Sequence, residues 1–504
     1  MQFNSELFVF IFLPIVLYVF YKLKNTQNNN DYLVWWLIAC SSVFYTWFSL
    51  KFLLMIYACT LLNYFLCSYM LERHQAKKSV TTSLLLLGVC INLLPLCYFK
   101  YTNFLLFNIN TLMHTELTAL DLILPLGISF FTFQNITYLI DSYYDKAPQY
   151  RLSHYILYIL FFPQLIAGPI VLHSEFMPQI EKISSNKIGE DKIIFGITLF
   201  LIGLIKKIGI SDCLAFWADP VFQAAAGGQS IGFIQSWLGL ISFTLQLYFD
   251  FSGYTDMALG LSSMLGIVLP ANFDSPFKSS NMIEFWQRWH ITLSRFFQSY
   301  IFVPLAMKYH KKGYGIYFSI FFTMLISGLW HGAAWCFIIW GAFHGMLLCI
   351  NHLWRKIYTK LDLSWNQSTY WRAICILLTN LSFATSLIFF RSDSVHSSLF
   401  LFKNIISIHK LFPIHHAEFL QIDFWIQIVS IACLLAITWF LPNSQTICGI
   451  KKSTTQLDGI FNDAIVWSAK KNAYALLLAT MTAGLIIYQG LRVINLKTFI
   501  YFQF

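Results

Sequence analysis

The 504-residue chain is 57% hydrophobic and only 11% charged, with mean hydropathy +0.62, whereas a soluble domain averages about a quarter charged residues. That apolar surplus excludes an ordinary soluble fold and predicts an all-α polytopic membrane protein. The formal net charge of +10, from 33 Lys and Arg over 23 Asp and Glu, is scattered through short loops with no long basic tract, which argues against nucleic acid and fits positive-inside bias.

A transmembrane helix needs about 20 mostly apolar residues. In chain order, such windows fall at 7–20, 33–50, 52–70, 84–98, 156–171, 193–205, 233–249, 316–330, 335–350, 374–390, 424–441 and 474–487. The first reads as a retained anchor: the residues before it carry Glu6 rather than a basic stretch, and no small-residue cleavage site follows. Lys22 and Lys24 follow the first window and Arg73, Lys77 and Lys78 the third, while the intervening turns offer only Lys51 and Lys100. The amino terminus is therefore expected outside the cytoplasm.

The polar stretches near 25–31, 181–192, 271–285, 361–369 and 443–463 are connectors, too short to hold a second folded domain. The expectation is one membrane-embedded domain over residues 1–504, with its motif-rich core at 161–350. No repeat at a fixed period is evident. Eleven cysteines, 50 Phe, 26 Tyr and 16 Trp read as core packing, interfacial belts and lipid-facing surface. The cysteines stand singly, without CxxC or other metal spacing.

Several places break the apolar pattern. Pro163, Gly168 and Pro169 lie inside a membrane window, as a kinked or broken helix around a cavity would require. Residues 250–295 gather Asp250, Asp256, Asn272, Asp274, Glu284, Arg288, His290 and Arg295 between apolar flanks, with Gly266, Pro270 and Pro276 as interruptions. Lipid cannot face those groups, so a re-entrant or interfacial segment lining a cavity is expected. His290, in Phe285-Trp286-Gln287-Arg288-Trp289-His290, reads either as part of an aromatic and basic interfacial belt or as a site residue.

The run 316–350 is too long for one span and is broken at Ser327-Gly328-Leu329-Trp330-His331-Gly332. A histidine buried there tends to be neutral and suits a general base; the competing reading is a packing histidine hydrogen-bonded across helices. His344 could reach the same cavity but reads better as helix packing. His415-His416 has no Cys or carboxylate at ligand spacing, so no metal site is expected. No GxGxxG, Walker or HExxH pattern occurs.

In order, Phe162-Pro163-Gln164 through Gly168-Pro169, Phe249-Asp250-Phe251-Ser252-Gly253-Tyr254-Thr255-Asp256, Asn272-Phe273, Phe285-Trp286 with Arg288-Trp289-His290, and Leu329-Trp330-His331-Gly332 resemble the membrane-bound O-acyltransferase family. The resemblance spans nearly the whole chain. Its nearest branch includes alginate and peptidoglycan O-acetyltransferases and the D-alanyl transfer protein of teichoic acid modification. It implies a ring of about 11–13 transmembrane or re-entrant helices around a through-membrane tunnel, in the bacterial cytoplasmic membrane. His331 matches the family's intramembrane catalytic histidine. His290 matches the second histidine, with a positioning or supporting acid-base role.

The activity so implied is acyl transfer, chiefly acetyl, from cytoplasmic acetyl-CoA as substrate, with no tightly bound cofactor. Acceptors would be hydroxyls of an extracytoplasmic polysaccharide or cell-wall glycan, reached through a secreted partner protein. D-alanyl transfer is the alternative within the same chemistry. A secondary transporter or flippase would also use broken helices and buried ionisable groups, but it often has repeated halves, and no matching broken segments are seen. A lipid-linked glycosyltransferase keeps only Asp250 and Asp256 in its favour. Thioester consumption separates the acyltransferase from both.

Overall fold

A computed structural model describes residues 1–26, 30–361, 368–407, 422–448 and 499–500; among them every regular element is helical. The expected window at 474–487 and the His415-His416 pair lie outside the described residues. Seven described helices are long and apolar enough to cross a membrane: Phe8–Thr26, Leu50–Gln75, Thr82–Met113, Glu190–Ala226, Trp335–Lys360, Thr369–Arg391 and Asp423–Phe440. Gly315–His331 is a shorter apolar helix. Thr82–Met113 exposes Leu86, Leu94, Phe107 and Leu112, a surface that water would penalise at about 25 cal/mol per Å² and that lipid accepts.

The described chain forms two compact units, Met1–Leu204 with Tyr254–Pro270, and Ile205–Gly253 with Ala271–Ile447. In the first, Ile128–Tyr143 is a helix that the hydropathy windows missed. It buries Thr132, Gln134, Asn135 and Thr137, which lower its hydropathy while serving a polar core. Asn63 Nδ2 donates to the Asn135 carbonyl at 3.1 Å and to the Tyr155 hydroxyl at 2.7 Å. The Tyr155 hydroxyl in turn donates to Asn135 Oδ1 at 2.7 Å. Such interhelical bonds substitute for the hydrophobic drive that lipid does not supply.

The window expected at 156–171 is not a continuous span. Leu152–Leu160 ends, Phe162–Leu165 makes a single turn, and the next helix starts only at His173. Pro163 and Pro169 have no N–H to give, and the broken backbone is buried throughout. Side chains satisfy it: Phe162 N–H donates to Ser41 Oγ at 3.1 Å, Gln164 Nε2 to the Tyr158 carbonyl at 2.6 Å, and the Tyr158 hydroxyl to the Val171 carbonyl at 2.8 Å. Irregular backbone survives at membrane depth only when protein buries it in this way.

In the second unit, the helix Gly315–His331 turns back through Gly332 into Trp335–Leu361, the break expected from the flanking glycines. The two helices pack through Gly328 and Gly341. A Cβ on Gly328 would run into the Phe337 carbonyl oxygen and the Gly341 backbone, and one on Gly341 into the Met324 carbonyl. Small residues are what permit that approach.

Candidate active site

The polar stretch 250–295 divides where helix-forming capacity runs out. Residues through Met264 stay helical, in Phe233–Met264, so Asp250 and Asp256 lie on a helix. Gly266 then takes φ +76° and the chain runs irregularly past Pro270. Two short helices follow, Met282–Arg288 and Ile291–Phe297, and His290 sits in the joint between them at φ +43°. A non-glycine residue in the left-handed region carries strain of about 1–3 kcal/mol that its surroundings must hold in place.

Asn272 does the holding. Ile291 N–H donates to the Asn272 carbonyl at 2.9 Å, and Asp274 N–H to the Arg288 carbonyl at 3.0 Å. Asn272 Oδ1 accepts from Thr292 Oγ1 at 2.8 Å and from Thr292 N–H at 3.3 Å, and it lies 3.1 Å from His290 Nδ1. A backbone N–H can only donate, so the atom facing His290 is an oxygen. His290 Nδ1 therefore carries the proton and Nε2 the lone pair. The ring is wholly buried, outside the spanning helices, and burial lowers its pKa, favouring the neutral form. Phe251 meets it edge-on at 4.7 Å.

His331 is the last residue of its helix and is buried. Its ring is fenced by Trp330 at 4.8 Å, Trp340 at 5.0 Å and Phe390 at 5.3 Å, all edge-on. Trp330 is also 6.4 Å from His290. The two histidines selected from sequence, forty-one residues apart in the chain, therefore both neighbour the Trp330 indole. His290 is buried beneath aromatic rings, so the interfacial-belt reading does not describe it.

Other sequence candidates fall elsewhere. Arg288 pairs with Glu284 at 2.8 Å and lies 3.9 Å from Asp274. Trp289 packs on Phe383 at 4.8 Å and Phe273 at 5.1 Å. Asp250 accepts from Lys207 Nζ at 2.7 Å, and Asp212 accepts from the same nitrogen at 2.8 Å. That buried ion cluster is structural in form: one cation between two carboxylates, positioned by a π-helical stretch at Ile205–Ser211. Sequence reasoning named Asp250 but missed Lys207, whose place within an apolar helix was the available signal. In the first unit, reasoning also missed His173, which lies 2.9 Å from Asp141 Oδ2 and 2.9 Å from the Tyr150 hydroxyl. Burial pushes Tyr150 up to about 12.

The family model described as MBOAT, membrane-bound O-acyltransferase family, matches residues 28–392, which include all of the elements around His290 and His331. The peptidoglycan O-acetyltransferase of Helicobacter pylori is 38% identical over 433 residues, covering 81% of this chain and 80% of that protein. The probable alginate O-acetylase AlgI of Pseudomonas aeruginosa is 37% identical over 356 residues, 70% of this chain and 66% of its own length. The teichoic acid D-alanyltransferase of Bacillus subtilis is 31% identical over 276 residues, 52% of this chain and 67% of its own length. With seven apolar helices among the described residues and a match across most of its length, this multi-pass bacterial inner-membrane protein belongs to the membrane-bound O-acyltransferase family and is an acyltransferase.

Proposed function

We propose that the chain takes an acetyl group from cytoplasmic acetyl-CoA and passes it to a hydroxyl of an extracytoplasmic glycan, peptidoglycan or an alginate-like polysaccharide, through a secreted partner protein. The observation that carries this reading is the convergence of two buried histidines on Trp330, with the tautomer of His290 held by Asn272. Acetyl is favoured over D-alanyl because the named O-acetyltransferases are 37–38% identical over 70–81% of the chain, against 31% over 52% for the D-alanyltransferase.

In this mechanism His331, buried among Trp330, Trp340 and Phe390, takes the proton from the attacking hydroxyl as its oxygen adds to the thioester carbonyl carbon. The carbon–sulfur bond then breaks. The proton passes to the leaving sulfur, and the products are an ester and free CoA. Such acid-base work contributes about 10²–10⁴-fold. His290, its ring oriented by Asn272, positions the reacting groups beside Trp330. A passage through the membrane lets the acetyl group move while the polar coenzyme stays in the cytoplasm.

The test is release of CoA from acetyl-CoA by the full-length protein in lipid, with glycan acceptor and partner extract supplied. His331→Ala should lower turnover by about 10²-fold or more with little change in melting temperature. Equal rates in both proteins would sink the His331 mechanism. Turnover of a D-alanyl thioester in place of acetyl-CoA would select the other acyl group.

A further inference from the structure

Trp340, which touches His331, also touches a third histidine. The His344 ring lies 4.8 Å from Trp340 and 5.1 Å from Trp286, and the two indoles are 5.8 Å apart. His344 is wholly buried. Its Nε2 lies 2.9 Å from Ser386 Oγ, and Ser386 gives its single hydrogen to the Phe383 carbonyl at 2.6 Å. Ser386 can therefore only accept from His344. The imidazole proton is on Nε2, and Nδ1 carries a lone pair.

That Nδ1 has no hydrogen-bond partner among the described residues, and neither does Nε1 of Trp286 or Nε1 of Trp340. Buried polar atoms are costly to leave unpaired, and the three rings that carry these touch one another, with Trp340 also touching the proposed base. Their polarity is selective: two N–H donors and one acceptor. A hydroxyl oxygen offers two lone pairs and one hydrogen, the complement of that set. A carbonyl or carboxylate has no hydrogen for Nδ1, and an ammonium has no lone pair for the indoles.

We propose that Trp286, Trp340 and His344 form a hydroxyl-binding site next to His331, which seats the acceptor alcohol for attack on the thioester. Water offers the same chemistry, and the experiment separates the two. The inference rests on the acetyl-transfer reading above, and it assigns three binding residues to the acceptor rather than to the donor. Trp340→Phe and Trp286→Phe each delete one N–H while keeping a ring, and His344→Leu deletes the acceptor.

The measurement is steady-state transfer by the full-length protein in lipid, with partner extract held constant, acetyl-CoA and an N-acetylglucosamine oligosaccharide varied independently, and free acetate measured in the same reactions. Each of the three variants should raise KM for the oligosaccharide about tenfold, the loss expected for one hydrogen bond, and leave KM for acetyl-CoA unchanged. His344→Gln, whose amide oxygen can accept, should recover part of the affinity. An unchanged oligosaccharide KM in both Trp→Phe variants overturns the site. A rise in KM for acetyl-CoA alone moves it to the donor, and loss of acetate formation with oligosaccharide KM intact makes it a water site; both overturn the acceptor assignment. Wild type that releases no CoA with any acceptor refutes the acetyl-transfer reading and this inference with it. An active wild type with an inactive His331→Ala and kinetically normal variants refutes this inference alone.

Discussion

Asn272 offers a direct handle on His290, because one side-chain oxygen serves the imidazole, the Thr292 hydroxyl and the Thr292 N–H. Asn272→Leu strands buried donors, at about 1–3 kcal/mol, and frees the His290 tautomer. CoA release should fall at least tenfold, the factor that about 1.4 kcal/mol sets in a rate, and the melting temperature should drop. Asn272→Asp keeps an acceptor in place and should retain more activity than the leucine variant. Equal turnover in both would remove Asn272 from the site. At this scale His290 and His331 were legible because ionisable residues in apolar sequence stand out. Their shared neighbour Trp330 was not legible as such, since chain separation hides spatial contact. His344 read as helix packing for the same reason: its partner Ser386 lies on another helix, and only that contact reveals which ring nitrogen is the acceptor.

The helical hairpin that carries His331 depends on glycine at its crossing point. Gly328→Val would place side-chain atoms where the Phe337 carbonyl and the Gly341 backbone already lie. Overpacking of this kind costs typically about 1–3 kcal/mol, and separating the helices would also draw Trp340 away from His331. Lower thermal stability in lipid, together with loss of CoA release, is the expected result; Gly313→Ala, where an added Cβ meets nothing, serves as the neutral comparison. Wild-type stability in Gly328→Val would show that the crossing can relax. The break at Gly332 was readable because glycine beside a buried histidine marks interruption. The interruption at Pro163 to Pro169 was readable too, but hydropathy alone made residues 156–171 look like a span when they are broken and buried in protein. Ile128–Tyr143 escaped for the converse reason: it faces protein and carries amides and hydroxyls where a lipid-facing helix would carry leucine.

For the whole molecule, composition sufficed to place it in a bilayer, whereas orientation depends on a few charges. Lys24 bonds the carbonyls of Ile183 and Ser184, and Asn30 Oδ1 accepts from Ser184 N–H at 2.9 Å. These contacts fix the first basic turn against the polar connector 181–192. In the same unit, His74 near the second basic turn sits 3.0 Å from the Tyr143 carbonyl. Positive-inside bias assigns both turns to the cytoplasm, the side on which acetyl-CoA is made. The prediction concerns Lys78, which is exposed at the end of the second basic turn. Lys78→Cys should react with a membrane-impermeant maleimide in inside-out vesicles and be protected in right-side-out vesicles, each measured against the background of the eleven native cysteines. Labelling in right-side-out vesicles would invert the topology. The donor thioester would then have to reach the histidines from the opposite face, and the direction proposed for acetyl transfer would fail even if His331 remained the base.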